Sequence, residues 1–249
     1  MKKTSLSTYS IGTPDFLDAK EILKPDIVVE SGIKELDNLI GGLKTGEITY
    51  IDGYSNLISN IPNQLCVNTY RTFHSDTMYI DGGMCADPYK IASYARKMEV
   101  DQREILNHIH ISRAFTVYQL TSIIQELLEP SIKRYKPRTL IIGKFPVLHM
   151  DSDVKDKEAK TLLRTNIHKI RELTTKYNLV TVFTNIDRGM PSNNRGLREI
   201  IYKDADEIVL MKQMELSTHV QLIKQQKNTV ILDIAKGQMR LQEFGMVIA

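Results

Sequence analysis

Apolar residues recur along this chain at two spacings, which predict helices and strands in turn. The clearest helix is Lys157 to Tyr177, where apolar residues recur every three to four positions and basic residues occupy the rest. Short apolar runs that end at glycine or at polar turns indicate buried strands. The predicted strands are Glu47–Asp52, Thr77–Asp81, His108–Ser112, Arg138–Ile142, Leu179–Thr184, Glu207–Met211, His219–Lys224, Thr229–Ile234 and Met239–Phe244.

The order of these elements predicts the fold class. Helices and strands alternate early, and consecutive strands follow late, which is typical of an α/β domain with a mainly parallel twisted sheet flanked by helices and antiparallel strands at the C-terminal edge. A long helix begins near Thr116, and Pro130 is expected to break or bend it. We assign residues 1–25 to an N-terminal arm or linker and residues 26–249 to one core domain.

Composition and charge exclude few functions. The net charge of +3 over 249 residues is too small to indicate a nucleic-acid partner by itself. No apolar run is long enough to span a membrane, and the first residues lack the apolar core of a signal peptide, so we expect a cytoplasmic protein. The spacing of Cys66 and Cys85 favours neither a disulfide nor a structural metal site. His108 and His110 share one face of a strand without an acidic partner at ligand spacing, and we interpret them as structural or surface residues.

The turn after the strand Glu47–Asp52 bears on nucleotide binding. In phosphate-binding proteins such a strand is followed by G-x-x-x-x-G-K-[ST] and a helix. Counted from Gly53, the second glycine is replaced by Ile58, the lysine by Ser59 and the final Ser/Thr by Asn60. A β-branched residue is strained at positive φ, and serine brings no cation for phosphate. We therefore interpret the stretch as a strand-to-helix turn and expect no bound cofactor.

Five strings occur in this order along the chain: SGIKELDNLIGGLKTGEITYIDG, MYIDGG, ISRAF, RTLIIG and VFTN. Together they resemble the RecA/RadA recombinase family. SGIKELDNLIGGLKTGEITYIDG resembles the entry into its ATPase core, MYIDGG its strand with the catalytic glutamate, and ISRAF its Arg-Ala-Phe strand end. RTLIIG is similar to the Walker B strand, and VFTN to the strand that leads to the second DNA loop. The resemblance extends from about Phe16 to the C-terminus. It implies a RecA-like P-loop ATPase fold and a role in homologous recombination and DNA repair.

Departures from the family pattern fall on the groups that carry ATP hydrolysis. The position of the glutamate that orients the attacking water holds Gly83, and that of the Walker B aspartate holds Gly143. Ile186 replaces a polar glutamine. Together with the degenerate P-loop, these replacements predict a pseudo-ATPase that is not an enzyme and has no metal site.

Two binding features of the family have counterparts here. Phe16 and Ala19 fit the F-x-x-A arm through which one recombinase protomer pairs with the next; an amphipathic helix docked on its own domain is the alternative. The loop Asp187–Glu199 matches the second DNA-binding loop and contains three candidate phosphate contacts, Arg188, Arg195 and Arg198. It has no aromatic residue for base stacking, and a solvated mobile loop is the alternative.

The leading functional hypothesis is a non-catalytic RadA-like recombinase paralogue. Such a protein acts as an accessory factor in recombination and repair by binding a recombinase partner, single-stranded DNA or both. Two alternatives remain open. One is a nucleotide-binding NTPase with a non-standard or shared site, and the other is a scaffold or signalling protein that resembles the KaiC branch of the superfamily.

Overall fold

The computed structural model describes residues 27–186 and 195–232. The helices are α1 (Lys34–Ile40), α2 (Ile61–Phe73), α3 (Pro88–Lys97), α4 (Gln102–Asn107), α5 (Val117–Ser122), α6 (Leu128–Tyr135), α7 (Asp156–Tyr177) and α8 (Arg195–Asp204). The strands are β1 (Val28–Val29), β2 (Leu43–Lys44), β3 (Ile48–Tyr54), β4 (Thr77–Asp81), β5 (Ile109–Arg113), β6 (Thr139–Gly143), β7 (Val180–Thr184), β8 (Glu207–Gln213), β9 (Ser217–Leu222) and β10 (Lys227–Leu232). The predicted strand Met239–Phe244 lies outside the described residues.

Eight strands form one sheet in the order β10-β9-β8-β3-β7-β6-β4-β5. The pairs from β8 through β5 are parallel, whereas β9 and β10 join antiparallel at the other end. The short strands β1 and β2 form a separate antiparallel pair. The predicted α/β class, with a mainly parallel sheet and antiparallel strands at its C-terminal edge, is confirmed.

The two faces of the sheet bury two separate apolar cores. Successive strand residues point to opposite faces, so that Ile51 and Ile141 pack with helices α1 to α4. Tyr50 and Ile142 pack on the other face, with helices α5 to α8. The helices therefore cover both faces and leave the carboxyl ends of the parallel strands as the place where loops converge.

The long helix is interrupted near Pro130 without ending there. A π-helical turn over Ile123–Leu127 separates α5 from α6, which contains Pro130 and continues to Tyr135. A proline ring clashes with the carbonyl four residues earlier in an α-helix, and the wider π turn at that point removes the conflict. The prediction of a loop through Glu199 was wrong, because α8 begins at Arg195.

Within residues 27–186 and 195–232, no helix combines the length and apolar character needed to cross a membrane.

Candidate functional site

The candidate site lies at the carboxyl ends of β3, β4, β6 and β7, where open α/β sheets bind ligands. Gly53, near the end of β3, has φ +124°, and a Cβ built there would lie 2.1 Å from the backbone oxygen of Met211 on β8. Any residue type with a side chain would clash at this position, so close to the neighbouring strand, and only glycine fits. The predicted glycine position is thus required by strand packing as well as by the turn.

In the turn that follows Gly53, backbone N–H groups donate hydrogen bonds to acceptors within the same turn. It forms a 3-10 helix over Asn56–Ser59. The N–H of Leu57 donates to Ser55 Oγ at 3.2 Å, that of Ile58 to the Ser55 carbonyl at 3.3 Å and that of Asn60 to the Leu57 carbonyl at 3.0 Å. A phosphate cradle needs such N–H groups to converge on the anion, and these three are already paired.

The side chains of this turn are also occupied locally. Ile58 is fully buried and belongs to the apolar core shared with α1 to α4. Ser59 Oγ donates to the carbonyl of Asn56 at 2.7 Å, and the Ser59 carbonyl accepts from Asn63 Nδ2 at 3.2 Å. Asn60 is the residue that precedes α2 and its side chain makes no capping hydrogen bond.

At Gly83, the space beside the missing side chain is taken by Lys144. A Cβ built on Gly83 would lie 2.3 Å from Lys144 Cδ, and Lys144 Nζ donates to the Gly83 carbonyl at 3.2 Å. Lys144 itself has a positive φ of 48°, a conformation uncommon for residues other than glycine. The lysine side chain therefore lies where the resemblance placed a catalytic glutamate.

At Gly143, a tyrosine ring takes the corresponding space. A Cβ built on Gly143 would lie 3.0 Å from Cε2 and from the hydroxyl oxygen of Tyr79. Tyr79 is fully buried, and desolvation, followed by the charge of Asp81, raises its pKa well above the ordinary value. The position that resembles the Walker B aspartate thus has neither a carboxylate nor room for one.

Two carboxylates do lie at this edge, and both are buried and saturated. Asp81, at the end of β4, accepts from the backbone N–H groups of Gly83, Cys85 and Ala86 at 3.2, 2.9 and 3.0 Å. Arg113 Nε lies 3.6 Å from Asp81 Oδ2, the oxygen that also accepts from Ala86. Backbone N–H groups and a guanidinium satisfy an ionised carboxylate well. Asp81 therefore closes the β4 turn instead of projecting into an open pocket.

The second buried carboxylate, Asp52 near the end of β3, is also surrounded by hydrogen-bond donors. It accepts from the backbone N–H of Gly53 at 2.8 Å, from Asn185 Nδ2 at 2.9 Å and from the hydroxyl of Tyr202 at 3.0 Å. Arg198 Nε lies 2.8 Å from Asp52 Oδ2. Sequence reasoning missed both networks, although an acidic residue directly at the end of a buried strand was a visible signal.

Of the three predicted DNA-binding arginines, two lie on α8 and the third is outside the described residues. Arg198 lies on α8 and its guanidinium is bound to Asp52, so the expectation that it belongs to a loop was wrong. Arg195 is the first residue of α8. Arg188 lies outside the described residues, as do Phe16 and Ala19 of the predicted arm.

The two histidines at the start of β5 have an acidic partner that their spacing along the sequence did not reveal. Asp76, just before β4, lies 2.6 Å from His108 Nδ1 and 2.7 Å from His110 Nε2. His110 also stacks on Tyr135, with 3.7 Å between ring centroids. The acidic partner lies next to a neighbouring strand, and sequence spacing along β5 therefore could not predict it.

In the part of the chain that the structure describes, no group of three or more His, Cys, Asp or Glu residues is placed to hold a metal ion.

The strand order, the helices on both faces and the glycine near the carboxyl end of β3 define a protein of the RecA-like α/β class. A family model described as Rad51 matches residues 23–197, which is most of the chain. The chain therefore belongs to the Rad51 family. It is 31% identical over 123 residues to a Drosophila melanogaster protein named DNA repair protein Rad51 homolog, an alignment that covers 44% of this chain and 36% of the relative.

Proposed function

We propose that this chain is a non-catalytic member of the Rad51 family, an accessory factor in recombination and DNA repair that binds a recombinase partner, single-stranded DNA or both. The observation that carries the proposal is that the chain's own side chains fill the candidate nucleotide site. Ile58 is buried in the turn, Lys144 lies beside Gly83, and the Tyr79 ring packs on Gly143. The name of the Drosophila relative supports the assignment to repair.

The chemistry of phosphoryl transfer explains why this arrangement favours a pseudo-ATPase. Hydrolysis of a triphosphate requires donors on the phosphates, a metal ion held by a carboxylate and a group that orients water. Here the N–H groups of Leu57, Ile58 and Asn60 are paired within the turn. The carboxylates of Asp52 and Asp81 are saturated by protein donors. In the described part of the site, these N–H groups and carboxylates are therefore occupied by the protein itself, which supports the absence of hydrolysis.

Partner binding is proposed through the Phe16 arm and a sheet edge. Among the described strands, β5 pairs only with β4, so its outer side is an open edge. Ile111 on this strand is partly exposed. An extended segment can add to such an edge while its apolar side chains enter neighbouring pockets. The edge is thus suited to receive an arm of the F-x-x-A type from a recombinase or from a second copy.

A co-purification experiment tests this function. The full chain, Phe16→Ala and the neighbouring control Leu17→Ala are each used to capture proteins from a cell extract, scored for a recombinase of the family. We expect capture by the wild type and the control and its loss with Phe16→Ala. Capture of signalling proteins without a recombinase would instead favour the KaiC-like scaffold.

One observation favours a second candidate, a nucleotide-binding protein with a non-standard site. A groove of about 390 Å³ lies between α2 and α3. It is lined by Asn60, Asn63, Gln64, Lys90, Ser93, Tyr94 and Lys97. This lining has two cations and no acidic residue, and Gln64 Oε1 is buried without a partner among the described residues. Titration of the wild type with magnesium ATP distinguishes the candidates, because binding at millimolar concentration that Lys90→Gln weakens would favour the second one.

A further inference from the structure

Four large apolar or aromatic side chains are exposed at the carboxyl ends of β4 and β5. Met84 and Tyr89 come from the segment after β4 and the start of α3, and Phe115 and Tyr118 from the turn after β5 and the start of α5. Each is more than half exposed, and three of them are among the four most exposed large apolar side chains of the described residues. Single exposed apolar residues are common, whereas a group of them marks an interaction surface. We call these four residues the apolar patch.

Two hydrogen bonds hold the two halves of the apolar patch side by side. The backbone N–H of Ala114 donates to the Asp81 carbonyl at 3.1 Å. Arg113 Nη2 donates to the Ala86 carbonyl at 3.2 Å. The segment after β4 therefore lies directly against the turn after β5, and the exposed side chains of both belong to one surface.

Capping hydrogen bonds fix the backbone that presents these side chains. Asp87 accepts from the backbone N–H of Tyr89 at 3.0 Å. Thr116 accepts from the backbone N–H of Gln119 at 3.2 Å, and Gln119 Oε1 accepts from that of Phe115 at 2.9 Å. Both helix starts are thus held in place by the chain itself. A partner therefore binds here with little loss of backbone entropy.

An acidic segment, residues 151–158, borders the apolar patch. It contains four carboxylates and two lysines and has a net charge of −2. The Tyr118 hydroxyl donates to Glu158 Oε1 at 2.9 Å, and the 3-10 turn directly before the segment packs on α5. None of the four carboxylates has an ion pair with another described residue. They are Asp151, Asp153, Asp156 and Glu158.

The cations nearest the apolar patch have other contacts. Arg113 Nε lies 3.6 Å from Asp81. Lys144 Nζ donates to the Gly83 carbonyl at 3.2 Å. Lys90, next to Tyr89 in the chain, lines the separate groove between α2 and α3. The charge offered to a partner beside Tyr118 is therefore negative.

We propose that the apolar patch and the acidic segment together bind a segment of a partner protein in which large apolar side chains stand next to lysine or arginine. This contact goes beyond the Phe16 arm and depends on different residues. The carboxylates repel the phosphates of nucleic acid and anionic lipid, which leaves a protein as the occupant. A guanidinium or ammonium can pair with them and also lie on the rings of Phe115 and Tyr118. Aromatic residues and methionine are enriched at such interfaces.

The test uses a displayed library of random peptides, selected on the full chain and then measured by fluorescence anisotropy as labelled synthetic peptides. We expect the recovered peptides to combine Leu, Phe or Trp with Lys or Arg. Tyr89→Ala and Phe115→Ala should each weaken their binding about tenfold, because buried aromatic side chains carry much of the affinity of an interface. Leu216→Ala, in the turn between β8 and β9, removes an equally exposed apolar side chain elsewhere. This control should bind like the wild type.

A charge reversal tests the acidic segment separately. Asp153 is exposed, and we expect Asp153→Lys to weaken the same peptides about fivefold at low salt and less at high salt. Glu35→Lys makes the same change at an exposed site on α1 and is the control that should retain wild-type affinity. Affinity that Asp153→Lys leaves unchanged would overturn the basic character of the partner.

Three other results would overturn the whole proposal. They are the recovery of acidic or uncharged peptides, peptides that Tyr89→Ala and Phe115→Ala bind as well as the wild type does, and no recovered peptides at all. Binding of a labelled oligothymidylate that Phe115→Ala abolishes would instead assign the surface to nucleic acid. The recombinase capture with Phe16→Ala is read out independently, so that failure of this contact leaves the proposed function standing.

Discussion

Asp52 at the end of β3 and Arg198 on α8 form a bidentate ion pair, with Arg198 Nε 2.8 Å from Asp52 Oδ2 and Nη2 3.4 Å from Oδ1. Asp52 is fully buried, whereas the arginine side chain is 37% exposed. The pair attaches α8 to the strand that leads into the candidate nucleotide site. An internal carboxylate thus holds together two elements of that site.

The first prediction concerns the stability that this pair contributes. Arg198→Gln leaves the Asp52 carboxylate with its Gly53, Asn185 and Tyr202 donors but without a cation. We expect a loss of about 1–3 kcal/mol in the free energy of unfolding, less than for a fully buried pair because the arginine is partly in water. Urea unfolding measures it.

Arg103→Gln, an exposed arginine on α4, serves as the control and should change stability by less than about 0.5 kcal/mol. If Arg198→Gln loses no more than this control, the ion pair does not stabilise the fold. A double-mutant cycle with Asp52→Asn measures the coupling between the two residues directly.

The second prediction compares two glycines with positive φ. Gly53 has φ +124° and a Met211 backbone oxygen 2.1 Å from its built Cβ, whereas Gly41 has φ +74° and nothing within 4 Å. Gly41→Ala therefore adds backbone strain alone, about 1 kcal/mol. Gly53→Ala adds a backbone clash as well, and we expect a loss of more than about 3 kcal/mol or failure to fold. Thermal unfolding of both variants measures the difference, and equal losses would contradict the close approach of β3 and β8.

The third prediction addresses the buried residue of the turn. Ile58→Ala should cost about 2–5 kcal/mol because Ile58 is fully buried. Leu57→Ala, at a partly buried neighbour, should cost less. Even with the cavity, magnesium ATP should not raise the stability of Ile58→Ala, because the nearby N–H groups remain paired within the turn. An ATP-dependent rise in the urea midpoint of this variant would show that Ile58 alone blocks the site.

Much of the fold was predictable because periodicity and turn residues act locally. The strands β3, β4, β6 and β7 lie within a residue or two of their predicted bounds, since each is a buried apolar run followed by a glycine or a polar turn. The start of α8 was missed because Gly196 disfavours a helix on local grounds, and the bond between Arg198 and Asp52 acts across the fold.

The candidate site was predictable only in part. The residues that replace the family pattern, such as Gly83 and Gly143, are visible in the sequence. The side chains that fill the resulting space, Lys144 and Tyr79, are far from those glycines in the chain and meet them only across neighbouring strands. Asp52 and its partners are likewise separated by more than a hundred residues. No local spacing encodes such contacts.

The last prediction is a loss of stability in mild acid caused by one histidine. His149, which is 2% exposed, packs edge-to-face against Phe145 beyond the end of β6. Burial lowers its pKa from 6.5 to about 4. The unfolded chain therefore takes up a proton near pH 6.5 that the folded chain takes up only near pH 4, and stability falls as the pH drops through this interval. At 1.36 kcal/mol per pKa unit, the full loss is about 3 kcal/mol.

His149→Leu removes the titrating group and keeps an apolar side chain in the buried position. We expect its free energy of unfolding to fall by about 3 kcal/mol less than that of the wild type between pH 7 and pH 4. Urea unfolding at a series of pH values measures this, with His168→Leu, an exposed histidine on α7, as the control that keeps the wild-type slope. Because wild type and variant differ only at position 149, the difference between the two curves reports on His149. Parallel curves for the wild type and His149→Leu would mean that the folded chain admits a proton at this position at ordinary pH, and the ring would then have to reach water that its burial excludes.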